Sequence, residues 1–133
     1  MIKSKTLHRA GFVILVSTLA GALLSQNPGV QRTIVHREDV SVPGREAIIA
    51  RAEIAPGANA GRHTHPGEEI SYVMEGEAEI LIEGKPPLKV KQGDGFVIPN
   101  GAKHDAHNIG SKPLKLAAVY LVDKSKPLAT PAP

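Results

Sequence analysis

Apolar and polar residues alternate in short runs along the chain from Arg32 onward, and Gly, Pro, Asn and Asp separate the runs. The clearest run is EAEILIE, in which Ala78, Ile80 and Ile82 share one face of an extended strand and Leu81 lies among glutamates on the other. A period of two predicts half-buried strands, and many short strands favour a sandwich or barrel. The predicted strands are Ala47–Ile54, Ile70–Met74, Glu77–Ile82, Leu88–Lys91, Gly95–Ile98, Lys103–Asn108 and Leu114–Val122.

Glycine and proline mark the predicted turns between these strands. The segment MEGEA joins two of them and predicts a hairpin centred on Gly76. The segment IPNGAKH predicts a turn in which Pro fixes the backbone and Asn or Gly takes the strained position. Positive φ angles are expected at Gly93, Gly95 and Gly101, so these glycines are interpreted as structural.

The first 25 residues differ in composition from the rest of the chain. A basic start that includes Lys3 and Arg9 precedes the apolar run Ala10–Leu24, and a polar segment follows. This order is typical of a secretory signal peptide. A membrane anchor is the alternative, but the apolar run is shorter than the roughly 20 residues that a helix needs to cross a bilayer. We therefore expect a periplasmic or secreted protein, cleaved after Ala22 or Ser25, with no membrane attachment afterwards.

Removing this leader, residues 1–25, changes the charge balance. Three of the 16 Lys and Arg residues lie in the leader, whereas all 13 Asp and Glu residues lie beyond it, so the remaining chain is neutral. A neutral domain gives no reason to expect a nucleic-acid partner. The absence of cysteine excludes disulfides and thiolate metal ligands. Residues 26–122 are expected to form one domain, followed by a flexible Pro- and Ala-rich tail over 123–133.

Histidines are concentrated in two segments. His63 and His65 lie one residue apart, so an extended strand directs both imidazoles to the same side. The Pro-Gly turn that follows lets Glu69 return to the same place as a carboxylate ligand. A third imidazole comes from His104 or His107, of which only one can face the site because their spacing is odd. Three imidazoles and a carboxylate suit one divalent transition metal, namely Fe, Mn, Co, Ni, Cu or Zn, with an open coordination position.

Both segments resemble the two sequence motifs of the cupin superfamily. The residues that match the first motif are Gly57, His63, His65, Glu69 and Gly76, and those that match the second are Gly93, Pro99, Gly101, His104 and Asn108. The short gap between the motifs is similar to that of small single-domain bacterial members. The resemblance implies a cupin jelly-roll barrel of antiparallel strands. It also implies that His63, His65, Glu69 and His104 are the metal ligands and that His107 lies outside the metal shell.

The resemblance implies two classes of function. The first is a metal-dependent enzyme, a dioxygenase ahead of an isomerase or lyase, in which Glu69 is the ligand most able to take a proton. The second is a non-catalytic protein that binds a metal or small ligand, or a sensor. Few aromatic residues follow the leader, which favours a small aliphatic or oxygen-rich ligand. Strand parity predicts apolar pocket walls formed by Ile54, Val73, Ala78, Ile80 and Ile82.

Four further side chains are weaker candidates for a role in the site. Glu68 adjoins a predicted ligand, but an exposed turn carboxylate is the simpler interpretation. Arg51, Tyr72 and His107 are each able to exchange a proton with a substrate. Tyr72 and His107 lie at odd spacing from the ligands, however, and are expected to point out of the barrel.

The last predicted strand also bears on assembly. Its sequence, LKLAAVYLV, carries apolar residues on both faces, which is more than one barrel interior needs. We therefore expect a homodimer in which Leu116, Ala118 or Tyr120 is buried against the second copy.

Overall fold

The computed structural model describes residues 27–133, which contain ten β-strands. The predicted leader and its cleavage positions lie outside these residues. Within the described range, no helix is long and apolar enough to cross a membrane. The strands are β1 Val30–Asp39, β2 Arg45–Ile54, β3 His63–Thr64, β4 Gly67–Glu75, β5 Glu77–Ile82, β6 Leu88–Lys91, β7 Gly95–Ile98, β8 His104–Asn108, β9 Leu114–Asp123 and β10 Thr130–Pro131.

The strands form two antiparallel sheets of five strands each. The first sheet has the order β1-β2-β9-β4-β7, and the second has the order β10-β3-β8-β5-β6. This arrangement confirms the predicted all-β jelly roll. Because β3 lies beside β8, the two histidine-containing segments are neighbours in space although they are far apart in the chain.

Alternating burial along the strands builds the core between the sheets. In β9 every second residue from Leu114 to Val122 is buried, and the residues between them are only partly covered. The residues predicted to form the pocket walls also face inward, and none of them is more than 8% exposed. They are Ile54, Val73, Ala78, Ile80 and Ile82. The valine and isoleucine side chains among them each contribute about 1.5–3 kcal/mol when fully buried. The period of two in the sequence is therefore the signature of this core.

Every predicted strand is present, and β1, β3 and β10 are additional. Strand β1 is exposed along almost its whole length and pairs with β2 alone. An edge strand that covers little of the core gains nothing from apolar alternation, so its sequence, VQRTIVHRED, lacks the pattern that identifies the other strands.

The predicted hairpin between β4 and β5 is wrong, because these strands lie in different sheets. Gly76 instead turns the chain from one sheet to the other with φ 87°. A Cβ atom there would lie 2.8 Å from the Pro113 carbonyl oxygen, so glycine is needed for space as well as for conformation. Positive φ is confirmed at Gly93 and Gly101, whereas Gly95 lies in β7 without it.

The C-terminal tail occupies a defined position. Thr130 and Pro131 form β10 and pair antiparallel with Thr64 and His63. The Ala132 N–H donates to the Arg62 carbonyl oxygen at 3.0 Å. The tail was expected to be flexible, but in the structure it pairs with β3 and covers the edge of that strand. A strand of two residues, paired with a segment far away in the chain, leaves no periodic signal in the sequence.

The prediction of which face of β9 lies at a dimer interface is wrong. Leu116, Ala118 and Tyr120 are at most 3% exposed, and they point into the barrel of their own chain. The outward residues are those of opposite parity, including Val119 and Leu121. The sequence shows that both faces of the strand are apolar, but it does not show which parity is the interior one.

Candidate metal centre

Four side chains converge between the two sheets. His63 of β3 and His104 of β8 are direct cross-strand partners in the second sheet. Glu69 belongs to β4 in the first sheet, and His65 lies in the short link where the chain passes from β3 to β4. One ligand atom from each side chain lies within 4.8 Å of all the others. The structure therefore brings together all four residues predicted as metal ligands.

The facing atoms of this centre are imidazole Nε2 atoms and one carboxylate oxygen. The distance between His63 Nε2 and His65 Nε2 is 3.2 Å. Glu69 Oε2 lies 3.0 Å from His65 Nε2 and 3.5 Å from His104 Nε2. One ion bonded to two such ligands at about 2.0–2.1 Å would hold their donor atoms about 3 Å apart. The spacing is that of ligands arranged around a common point.

Backbone carbonyl groups fix the protonation of the three imidazoles. The Nδ1 atom of His63 contacts Gly61 O at 2.6 Å, that of His65 contacts Leu128 O at 2.6 Å, and that of His104 contacts Ala102 O at 2.9 Å. A carbonyl oxygen only accepts hydrogen bonds, so each Nδ1 carries the proton and donates it. The Nε2 atom of each neutral ring then has a lone pair directed at the centre, as a metal ligand requires.

A metal ion fits the electronic needs of this cluster. His104 Nε2 is buried, and it has no hydrogen-bond partner among the described residues. Leaving such a group unsatisfied costs about 1–3 kcal/mol, and an ion at the centre would remove that cost. Three imidazoles with one carboxylate suit the divalent ions from Mn to Zn, and this donor set does not distinguish between them.

Burial acts in opposite directions on the two kinds of ligand. It lowers the pKa of His63 to about 4, even though the hydrogen bond to the Gly61 carbonyl acts to raise it. Burial alone would raise the pKa of Glu69, but contacts with His104, His65 and Ser71 outweigh it and hold this pKa well below its ordinary value. At neutral pH the His63 imidazole is therefore neutral and Glu69 is ionised, which are the metal-binding forms.

Ser71 orients the carboxylate. Its hydroxyl donates to Glu69 Oε1 at 2.6 Å, and the residue is only 3% exposed. Because one carboxylate oxygen is held by Ser71, the other is left to face the imidazoles. The sequence analysis missed this residue. Its position two residues after Glu69 in β4, on the same face of the strand, is the signal that identifies it.

A small cavity of about 30 Å³ is lined by three of the four ligands, namely His63, Glu69 and His104. Its walls are mainly apolar, and they include the predicted wall residues Ile54 and Ile80 together with Phe96. Tyr120 and Arg32 add the only polar groups besides the ligands among the described residues that line it. The Tyr120 ring lies 4.7 Å from the His65 ring, and burial raises its pKa well above the usual range. Sequence reasoning missed both residues as site components.

The remaining candidates from the sequence lie outside this cavity. Tyr72 is 53% exposed and Arg51 is exposed on the outer side of β2. His107 pairs opposite Glu79 on the outward face of β8. Glu68 lies 4.0 Å from Arg45, and its side chain is 45% exposed. The structure thus separates all four from the cluster, as expected for Tyr72 and His107, and it places Glu68 in strand β4 rather than in a turn.

The geometry agrees with a family comparison. The family model described as "Cupin domain" matches residues 50–120, which is more than half of the chain. The chain belongs to the cupin family. The matched region runs from β2 to β9 and contains all four residues of the cluster. The resemblance stated from the two motifs is thereby confirmed.

Several known cupins are similar to this chain. Dimethylsulfoniopropionate lyase DddQ of Ruegeria pomeroyi is 48% identical over 42 residues, which are 32% of this chain and 21% of the lyase. Oxalate oxidase 1 of Hordeum vulgare is 34% identical over 79 residues, which are 51% of this chain and 39% of the oxidase. This chain spans less than half the length of the curated relatives it matches.

Solved structures support the same fold. A protein of Klebsiella pneumoniae with a double-stranded β-helix domain superposes with a TM-score of 0.64 at 24% identity. The match covers 78% of this chain and 87% of that chain. At this level of identity the likeness shows the fold alone, and it extends over nearly the whole of the described residues.

Replacing His104 or His107 with Ala tests the metal centre. His104→Ala removes a buried donor atom, so we expect metal affinity to fall at least tenfold, together with the stabilisation by excess metal. His107→Ala should leave both unchanged, because that side chain lies on the other face of the same strand. Metal titration and thermal unfolding measure the two effects. Metal loss in His107→Ala with retention in His104→Ala would require a different set of ligands.

Proposed function

We propose that this protein is a metal-dependent enzyme that acts on a small oxygen-rich substrate. The proposal depends on the unpartnered His104 Nε2, which shares a buried cluster with two further imidazoles and a carboxylate. Both His104 and Glu69 also line the adjoining cavity. A closed structural metal site has no need of such a cavity, whereas a catalytic site must leave a position open to substrate.

A bound divalent ion would act as a Lewis acid that polarises substrate oxygens and acidifies a coordinated hydroxyl group. Glu69 is the proposed catalytic residue, because among the described residues it is the one carboxylate that lines the cavity. Its low pKa keeps it ionised at neutral pH, which is the form that is able to accept a proton. Ser71 keeps Glu69 oriented, and the apolar walls exclude water from the substrate.

The relatives support a small substrate that carries oxygen atoms. Dimethylsulfoniopropionate and oxalate, named for two of them, are both small carboxylates. The cavity of about 30 Å³ is small, which favours a small ligand over a bulky one. We therefore place the substrate among small oxygen-rich compounds rather than among sugars or aromatic compounds.

Oxidation at the metal, of the dioxygenase type, is the favoured reaction. Besides the ligands, Tyr120 and Arg32 are the polar residues of the described chain that line the cavity, and neither is a carboxylate or imidazole. Oxidation by dioxygen needs no further protein base. Elimination by a lyase is the second candidate, and the 48% identity to a lyase over 42 residues favours it. A non-catalytic metal or ligand-binding protein, or a sensor, is the alternative to both.

Two assays separate these possibilities. Protein loaded with Fe(II) or Mn(II) is mixed with oxalate or a small hydroxy acid, and dioxygen uptake is recorded. The same protein is mixed with dimethylsulfoniopropionate, and release of acrylate is measured by chromatography. We expect turnover in the first assay and a loss of at least a hundredfold in His104→Ala. Turnover in the second assay alone would indicate a lyase, and ligand binding without turnover in either would indicate the non-catalytic alternative.

We further propose that the protein is exported, with residues 1–25 as its signal peptide. Support comes from the basic start and the apolar run of the leader. Expression of the full chain in a Gram-negative host, followed by mass spectrometry of the periplasmic fraction, tests this. We expect a species that begins at Leu23 or Gln26. Retention of the intact N-terminus in the membrane fraction would indicate an anchor instead.

We also propose a homodimer that uses the outer face of the first sheet. Val97, Ile70, Val119 and Ile49 are successive cross-strand partners there and form an uncharged row over four strands. Val97, Ile70 and Ile49 are 54%, 44% and 41% exposed. The row itself carries no charge, so a second copy can cover it as the centre of an interface formed by the same patch on both subunits.

A single charge at the centre of the row tests the dimer. Ile70→Glu would place a carboxylate in the proposed interface, so we expect light scattering to show a monomer where the natural chain is dimeric. Leu81→Glu is the matched control, because Leu81 is 39% exposed on the outer face of the other sheet. Dissociation by Leu81→Glu but not by Ile70→Glu would place the interface on the second sheet.

A further inference from the structure

Arg32 lies at the opening of the cavity beside the metal centre. It belongs to β1, and its register partner Ala52 also lines the cavity. Its guanidinium carbon is 5.6 Å from the centre of the Tyr120 ring. The residue as a whole is exposed, so it stands between solvent and the buried ligands.

The charge of Arg32 is not neutralised by a protein carboxylate. Among residues 27–133, Arg37, Arg45 and Arg62 each have an acidic partner, whereas Arg32 is in no ion pair and its polar neighbour is the Tyr120 hydroxyl. A guanidinium group that lines a mostly apolar cavity without an acidic partner is positioned to bind an anion.

The charge balance of the cavity points in the same direction. Three neutral imidazoles and the Glu69 carboxylate leave a divalent ion with a net charge of about +1, and Arg32 adds a second positive charge. An anionic ligand would reduce this excess. A neutral ligand would leave this excess positive charge uncompensated.

The apolar lining of the cavity indicates which class of anion it would bind. Val30, Ile54 and Leu116 form part of the lining, so a short hydrocarbon chain has apolar contacts available. An inorganic phosphate ion would place polar oxygens against these walls. A carboxylate pairs with guanidinium through two parallel hydrogen bonds and leaves an apolar remainder for the walls.

We propose that Arg32 binds the carboxylate of a small aliphatic acid and thereby selects anionic substrates for the metal centre. This inference rests on the proposed function, because it names the substrate class of the same centre. Arg32 is a specificity-determining residue and has no part in holding the metal. The edge strand β1, which contributes little to the core, supplies this contact.

Binding of small probes to the zinc-loaded protein tests the proposal. Propionate is the probe, propionamide is its neutral counterpart of similar shape, and both are titrated by calorimetry. Arg32→Gln should weaken propionate binding at least tenfold, and propionamide should bind the natural protein at least tenfold more weakly than propionate. The bound zinc, measured by elemental analysis, should stay the same in Arg32→Gln.

Arg51→Gln is the matched control, because Arg51 is also exposed and lies on the neighbouring strand β2, but it points away from the cavity. It should change propionate binding less than twofold. Equal propionate binding by Arg32→Gln and the natural protein, or tighter binding of inorganic phosphate than of propionate, would overturn this inference alone. Failure of the natural protein to bind zinc would overturn the proposed function and this inference together.

Discussion

The burial of four polar side chains inside an apolar barrel is the constraint on which the rest of this structure depends. Three imidazoles and a carboxylate lie between two sheets whose other inward residues are almost all hydrocarbon. Such groups are tolerated only when every atom that does not face the metal has its own partner. The carbonyl groups of Gly61, Ala102 and Leu128 satisfy the Nδ1 atoms, and Ser71 satisfies one carboxylate oxygen.

The same constraint explains why the ligands come from separate parts of the fold. A cluster built on one sheet would leave the opposite side of the ion to apolar side chains. Here His63 and His104 approach from the second sheet and Glu69 from the first. The link that carries His65 is where the chain changes sheets. Its direction is aided by Gly67, at which a Cβ atom would lie 1.9 Å from the Leu121 carbonyl oxygen. The close contact of β4 with β9 is therefore possible only with glycine.

The sequence predicts those features that a local pattern records. Alternation identified the strands that cover the core, and histidine spacing together with the resemblance to the two cupin motifs identified the four residues that converge. The pattern of apolar and polar residues did not reveal Arg32 or β1, because an edge strand has no buried face to impose such a pattern. The hairpin at Gly76 was predicted wrongly, since a positive φ is compatible both with a hairpin and with a crossing between sheets. Which partner each strand takes is decided by contacts between residues far apart in the chain, and a single sequence does not record them.

The hydrogen bond between His65 and the carbonyl oxygen of Leu128 has a practical consequence for work with this protein. The last few residues are part of the support of the metal centre, even though their composition is that of a dispensable extension. Trimming the chain before Leu128 would remove both the acceptor of the His65 ring and strand β10. A recombinant form that keeps residues 128–133 and carries a removable N-terminal tag keeps this support in place.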